Sequence, residues 1–148
     1  MSKPDRVPYV TTIRVRDTCL CLHVQRAARA LARRFDIALR PLDLTSGQFS
    51  MLNTMNRPKP AGMAQVSSLL QMDRTTLTAA LKPLQRRRLV KVSVNPDDAR
   101  SRLLSLTDKG HAVLARAVPV WVKTHAELDG LLPERDPNRL RRELDAMC

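Results

Sequence analysis

Two short amphipathic stretches separated by a turn of two or three residues, followed at once by a hairpin pattern, constrain this chain more than any other feature. The first stretch, 63–71, sets Val66, Leu69 and Leu70 inward at helical spacing. The second follows Asp73, a residue type that caps helix N-termini by accepting a backbone N–H. It runs from Arg74 to about Arg87 and buries Leu77, Leu81 and Leu84. Two helices of this size across so tight a turn form a helix-turn-helix. Val90, Val92 and Val94 then alternate with Lys91 and Ser93, and Leu104 and Leu106 alternate likewise, the period-2 mark of half-buried strands. The polar run 95–102 between them reads as the hairpin tip. A hairpin placed directly after the second helix is a wing. The expected fold class is mainly α with a small β-hairpin wing, a winged helix-turn-helix.

The flanks read as helical. Residues 1–11, with Pro4 and Pro8, suggest an extended arm. Over 12–40, Leu20, Val24, Ala27, Leu31, Phe35 and Ala38 recur at steps of three and four, while Arg26, Arg29, Arg33 and Arg40 occupy the opposite face. A helix of nearly thirty residues is long for a small domain and needs a second surface to cover it. Thr45 and Gln48 fit a capping box, with Phe49, Leu52 and Met55 as the buried stripe behind it. Residues 56–62 read as a loop. Thr107-Asp108-Lys109-Gly110 restarts a helix towards Leu132, with Leu114, Val118, Trp121, His125 and Leu128 on one side and Pro119 expected to kink it. Asp136-Pro137 opens a last helix with Leu140, Leu144 and Met147 inward. The organisation expected is an arm and long helix over 1–40, a helix-turn-helix lobe with its wing over 41–110, and C-terminal helices over 111–148.

Charge points to the partner. The 148 residues carry 26 Lys and Arg against 14 Asp and Glu, a formal charge of +12 that favours a polyanion. Aromatic residues are only 3%, which argues against the stacking platforms that hold single-stranded nucleic acid and leaves duplex DNA. No apolar run approaches a membrane span and no signal peptide is expected, so the expected location is the cytoplasm, on the nucleoid. Cys19, Cys21 and Cys148 show no C-x-x-C spacing, so neither a disulfide framework nor a zinc ribbon is indicated. Cys19 and His23 share a helix face, but His111 and His125 lie far off in sequence, so no metal site and no cofactor is expected. Catalysis is not expected either. Only four glycines are present, with no phosphate-binding glycine loop, and Cys21 and His23 face apart on a helix.

In order and spacing, these motifs resemble the multiple antibiotic resistance regulators, the MarR family. The match is carried by Leu42-Asp43-Leu44-Thr45, by Asp73-Arg74-Thr75-Thr76-Leu77-Thr78, and by Leu89-Val90 leading into the wing. Pro96-x-Asp98-x-Arg100 and Leu104-x-Leu106-Thr107-Asp108-Lys109-Gly110 complete it. It extends from about Arg16 to the C-terminus. The resemblance implies one intertwined domain, a homodimer joined through dimerisation helices near 12–40 and 111–147 with 41–110 as the DNA-binding lobe, acting on a pseudo-palindromic operator. It implies repression of a promoter, relieved by a small phenolic or lipophilic ligand or by oxidation of a cysteine.

The recognition helix would present Arg74, Thr75, Thr76, Thr78 and Lys82 to base edges, because such helices read mainly with their N-terminal residues. From the wing, Arg100 is expected to enter a narrow minor groove, Asp98 to pair with it and fix its direction, and Arg102 to hold a phosphate. The run Arg86-Arg87-Arg88 reads chiefly as positive charge matched to the helix C-terminus. The chain departs from the family pattern at Gln71 and Arg88, where the resemblance places glycine for a left-handed backbone. Pro83 is expected to bend or end the recognition helix and so to shift Lys82.

Cys21 stands 21 residues before Leu42, where the resemblance places the reactive cysteine of the organic-hydroperoxide-sensing branch. Two tyrosines bond the thiolate in that branch, and the matching positions here hold Phe35 and Phe49. The preferred reading is therefore a small buried hydrophobe rather than a sensor. A ligand pocket between the dimer helices and the DNA-binding lobe would draw on Phe35, Met51, Met55 and Trp121, unless these are simply core. The expected function is a sequence-specific DNA-binding transcription regulator, a repressor released by a ligand. The alternatives are an architectural protein that coats duplexes, and a redox-sensing regulator using Cys21.

Overall fold

Leu104 and the leucines around it organise a computed structural model that describes residues 6–132, 134 and 136–148. The elements are α1 (Tyr9–Thr18), α2 (Leu20–Leu39), α3 (Ser46–Met55), β1 (Ala61–Gly62), α4 (Met63–Leu70), α5 (Arg74–Arg86), β2 (Val90–Asn95), β3 (Asp98–Leu106), α6 (Asp108–Asp129) and α7 (Pro137–Asp145). Leu39, Leu52, Met55, Val66, Leu77, Leu84, Leu89 and Leu104 are fully buried and join α2 to α5 and the sheet in one core. Leu114 and Ala117 of α6 complete it.

The N-terminal segment differs from the expected arm and single long helix. Residues 9–11 are already helical, and the first five residues, with Pro4, lie outside the described residues. The helix is interrupted at Cys19, whose φ of −71° and ψ of 106° are extended. Cys19 ends α1 by donating to the Val15 carbonyl at 2.9 Å and opens α2 by accepting from the His23 amide at 3.2 Å. One extended residue leaves the spacing of the apolar residues intact, so periodicity could not reveal it.

Local capping chemistry sets the other helix starts. The Gln48 amide donates to the Thr45 hydroxyl and the Thr45 amide to the Gln48 side chain, both at 3.1 Å, a complete capping box. Asp73 caps α5, Thr107 caps α6 and Asp136 caps α7, each accepting a backbone N–H two or three residues on. Thr107 also donates its hydroxyl to the Arg88 carbonyl at 2.6 Å, which ties α6 to the end of α5.

The stretch expected as a loop over 56–62 contains β1, which pairs Ala61 with Leu104 and gives the antiparallel order β1-β3-β2. Two residues are too few to show alternation. In β2 and β3, Val90 faces Leu106 and Val92 faces Leu104, and the turn is only Pro96-Asp97. Residues 98–102, expected in a polar tip, are therefore strand. Val94 is 54% exposed, because the hairpin projects beyond the body. Leu69, expected inward, is 58% exposed; α4 lasts eight residues and its only buried one is Val66.

Pro83 does not end α5, which continues to Arg86. The N–H that proline lacks would have met the carbonyl of Ala79, an exposed residue whose carbonyl water can satisfy. The Arg87 amide still closes on the Pro83 carbonyl at 3.1 Å. Gln71 (φ 50°) and Arg88 (φ 57°) both take the left-handed backbone expected at these two positions, which glycine adopts most cheaply. A non-glycine residue there stores roughly 1 kcal/mol or more. Arg88→Gly keeps the Arg88 amide bond to the Gln85 carbonyl and the Thr107 bond to its own carbonyl. The variant is expected to gain about 0.5–1 kcal/mol after the greater unfolded-state entropy of glycine. Urea denaturation checks this; an unchanged or lower midpoint would show that position 88 is unstrained.

Towards the C-terminus, α6 runs unbroken through Pro119 and packs on α2 and α3. Leu140 and Leu144 of α7 and Met147 just beyond it, expected inward, are exposed in the single chain, as are Tyr9, Val10, Val15, Leu20 and Leu31. Their apolar faces are present as expected, but the chain's own core does not cover them.

Candidate DNA-binding surface and ligand pocket

A helix turns 100° per residue, so the side of α5 opposite Leu77, Leu81 and Leu84 carries Thr75, Ala79, Lys82 and Arg86, with Thr76 and Thr78 flanking it. All six are exposed, as is Arg74. Residue type alone misses Ala79, which has no polar group, and assigns Arg86 to the helix dipole. The spacing 75, 79, 82, 86 would have found both.

The first turn of α5 is tightly organised. Asp73 Oδ1 accepts the Thr76 amide at 2.8 Å and Oδ2 accepts the Thr76 hydroxyl at 2.7 Å. These bonds, the amide first, hold the Asp73 carboxyl below its ordinary value of 3.8. The sign follows: the cap stabilises the fold above the ordinary carboxylate value, and the contribution is lost as pH falls through the lower folded-state value. At neutral pH the cap is intact. One residue past Leu77, the Thr78 hydroxyl donates to the Arg74 carbonyl at 2.7 Å.

On the wing, Asp98 acts differently from expectation. Its Oδ1 accepts the backbone amide of Arg100 at 3.0 Å, and no ion pair links the two side chains among the described residues. A spacing of two brings the carboxylate to the main chain before it can reach the guanidinium. Arg100 itself is exposed. Arg102 folds onto the wing, donating from Nη1 to the carbonyls of Ala99 (3.1 Å) and Ser101 (3.2 Å).

The basic run after α5 is divided in role. Arg87 donates to the Asp43 carbonyl at 2.5 Å and lies 3.7 Å from its carboxylate, bracing α5 against the turn after α2. Lys109 adds a further cation at the α5 C-terminus, its Nζ donating to the Arg87 carbonyl at 3.0 Å. Arg86 stands in the last turn of the helix, as expected of a charge matched to its dipole.

Between α2, α3 and α6 lies a cavity of about 470 Å³, lined by Phe35, Phe49 and Trp121 together with Ser50, Asn53 and Thr54. No charged side chain lines it. Phe49 and Trp121 lie nearly parallel, 18° apart with centroids at 6.4 Å, and Trp121 meets the His125 ring at 4.7 Å. Behind it, Asp129 stands 3.6 Å from His125 Nδ1 and accepts from Arg141 of α7 at 2.7 Å. Of the four residues expected here, Phe35 and Trp121 line the cavity. Met51 and Met55 are core residues, only 3% and 2% exposed, because they sit on the face of α3 turned to the core it shares with α4 and the sheet.

Cys21 is exposed in the single chain, against the expectation of burial, and its Sγ accepts from Gln25 Nε2 at 3.4 Å. Among the described residues, no group of three His, Cys, Asp or Glu side chains could hold a metal, and no helix is long and apolar enough to cross a membrane.

A helix with an exposed polar face, backed by a core and followed by a basic hairpin, defines a winged helix DNA-binding domain, and the model of that domain matches residues 44–110. The M. tuberculosis transcriptional regulator MosR, solved in complex with DNA, is 37% identical, with 87% of this chain and 92% of that chain covered at a TM-score of 0.80. The transcriptional repressor CouR bound to a 23-mer DNA duplex is 31% identical over 86% of this chain and 88% of its own, with a TM-score of 0.71. The HTH-type transcriptional repressor NicR of Pseudomonas putida is 32% identical over 76 residues, 51% of this chain and 48% of NicR. The chain spans about half the length of the first curated relatives it matches, 57% and 48%. The chain belongs to the MarR family of winged-helix transcription regulators.

Proposed function

We propose that this protein is a sequence-specific, DNA-binding transcription repressor that works as a homodimer and is released from its operator by a small uncharged ligand. The observation that carries the reading is the exposed face of α5 beside the wing. Arg74, Thr75, Thr76, Thr78 and Lys82, with Ala79 and Arg86, would face the major groove; Arg100 would enter the minor groove, while Asp98 shapes the wing backbone and Arg102 lies within reach of a phosphate. In this reading 41–110 is the DNA-binding lobe. Segments 1–40 and 111–148 supply the dimer interface, supported by the exposed Tyr9, Val10, Leu20, Leu140, Leu144 and Met147. Two recognition helices then reach major grooves about one helical turn apart, on a pseudo-palindrome. The aromatic, uncharged cavity suits a neutral phenolic or lipophilic molecule better than a carboxylate. The role is binding rather than catalysis, in the cytoplasm on the nucleoid.

The test is titration of the DNA upstream of its gene against a scrambled duplex across salt. The native duplex is expected to bind ~10³-fold or more tightly at physiological salt. Equal binding that collapses with salt would favour an architectural protein, whose affinity is a phosphate term served by the charge of +12. The ligand arm uses the single tryptophan, Trp121, as its own reporter. Neutral phenols are expected to quench its fluorescence and release the DNA together. Release without quenching would place the effector elsewhere, with the exposed Cys21 thiol next in line.

A further inference from the structure

We propose that Thr76 and Thr78 read thymine methyl groups, and so place A·T pairs beneath both flanks of α5. The proposal rests on the DNA-binding role above and adds what those side chains recognise.

The direction of two hydrogen bonds carries it. A threonine hydroxyl has one proton to give and two lone pairs that accept. The Thr78 hydroxyl lies 2.7 Å from the Arg74 carbonyl, which can only accept, so the proton of Thr78 goes there. The Thr76 hydroxyl lies 2.7 Å from Asp73 Oδ2, and that carboxylate accepts the Thr76 amide through its other oxygen. An ionised carboxylate has no proton to return. Both hydroxyls have therefore spent their protons within the helix. Each exposed side chain offers a base only oxygen lone pairs and a methyl group.

That remainder is selective. Guanine presents only acceptors in the major groove, N7 and O6, and two lone-pair surfaces cannot bond. Adenine presents an N6 donor and its partner thymine a C5-methyl, so one A·T pair meets both parts of such a threonine. Cytosine supplies a donor but no methyl, which makes the methyl the feature that separates thymine from cytosine. Ala79, exposed between the two threonines on the outward face, adds a further methyl group. The donors on this face are the long side chains, Arg74, Lys82 and Arg86, and the exposed hydroxyl of Thr75, which no hydrogen bond within the helix engages among the described residues. The helix thus divides its work: guanine and phosphate belong to the arginines, the lysine and the Thr75 hydroxyl, and the methyl groups of Thr76 and Thr78 on the two flanks belong to thymine.

The test uses the full chain and the operator located by footprinting. Each thymine in a half-site is replaced singly by deoxyuridine, which deletes one methyl group and nothing else. Two thymines per half-site are expected to lose about fourfold in affinity each, the size that burying one methyl carries. Thr78→Ser, which keeps the hydroxyl and deletes the methyl, is expected to bring the thymine-to-uracil ratio at its position to near one. Thr78→Val, which keeps the methyl and deletes the hydroxyl, is expected to retain the wild-type ratio. Thr76→Ser provides the matching measurement on the other flank. A flat uracil scan with a wild-type protein that still prefers the operator overturns the proposal. So does a ratio lost in Thr78→Val and kept in Thr78→Ser. A wild-type protein with no preference for any duplex is a different result: it removes the DNA-reading role itself, and the proposal with it.

Discussion

Replacing Gly110 by alanine is expected to destabilise the protein by about 3 kcal/mol or more, the upper range for overpacking a site that cannot yield. Gly110 lies buried in the first turn of α6 with an ordinary helical backbone, so its conformational freedom is not what the site uses. The space is. A Cβ there would stand 2.1 Å from the Leu89 carbonyl oxygen and 3.1 Å from its carbon. Those are backbone atoms of a fully buried residue, and the same oxygen accepts the Thr107 amide at 3.1 Å. Relief requires moving the Leu89 junction between α5 and β2, or pushing α6 off it. Either movement breaks the Thr107 bonds that align helix and wing. DNA affinity is therefore expected to fall even under conditions where the variant remains folded. Gly47→Ala is the control, since its Cβ meets only the Thr45 hydroxyl, at 4.0 Å. Urea denaturation of both variants decides the matter; a Gly110→Ala midpoint close to wild type would show that α6 can shift without cost.

That junction also shows which parts of the fold were legible in the sequence. Caps were, because they are settled within four residues: Thr45 with Gln48, Asp73, Thr107 and Asp136 all act as their types and spacings suggest. The close approach of Gly110 to Leu89 was not, since it depends on how two elements meet across 21 residues. Likewise β1 is invisible until Leu104 is placed beside Ala61, and the extended Cys19 leaves no trace in the apolar spacing. Periodicity correctly marked Leu20, Leu31, Leu140 and Leu144 as one apolar face each. It could not say whether the chain's own core covers them, and in the single chain they are exposed.

The site divides in the same way. Residue types located Arg74, Thr75, Thr76, Thr78, Lys82 and Arg100 on exposed ground. They did not tell which atom of Asp98 meets which atom of Arg100, or that the threonine protons are already engaged. Phe35 and Trp121 were separable from Met51 and Met55 only once the two faces of α3 were seen, one turned to the cavity and one to the core.

Leu104→Ala is expected to cost about 2–5 kcal/mol, the range for emptying a leucine site that neighbours refill only in part. Leu104 is fully buried in the central strand, paired with Ala61 on one side and Val92 on the other, and β3 packs on α3 and α4. It is held from both sides by strands and from above by helices, so collapse around the void is limited. Val94→Ala, on the exposed part of the same hairpin, is expected to change stability by less than about 0.5 kcal/mol. The pair separates two functions of one hairpin. Its base is core and its end is an arm that carries Arg100. If the base anchors the arm, Leu104→Ala weakens DNA binding beyond what the folded fraction explains, because a loosened β3 no longer fixes the direction of the wing. Chemical denaturation gives the first quantity and DNA titration at low temperature, where the folded state persists, gives the second. A loss below about 1 kcal/mol would mean the sheet closes over the void. Affinity that simply tracks the folded fraction would mean the wing keeps its direction without this anchor.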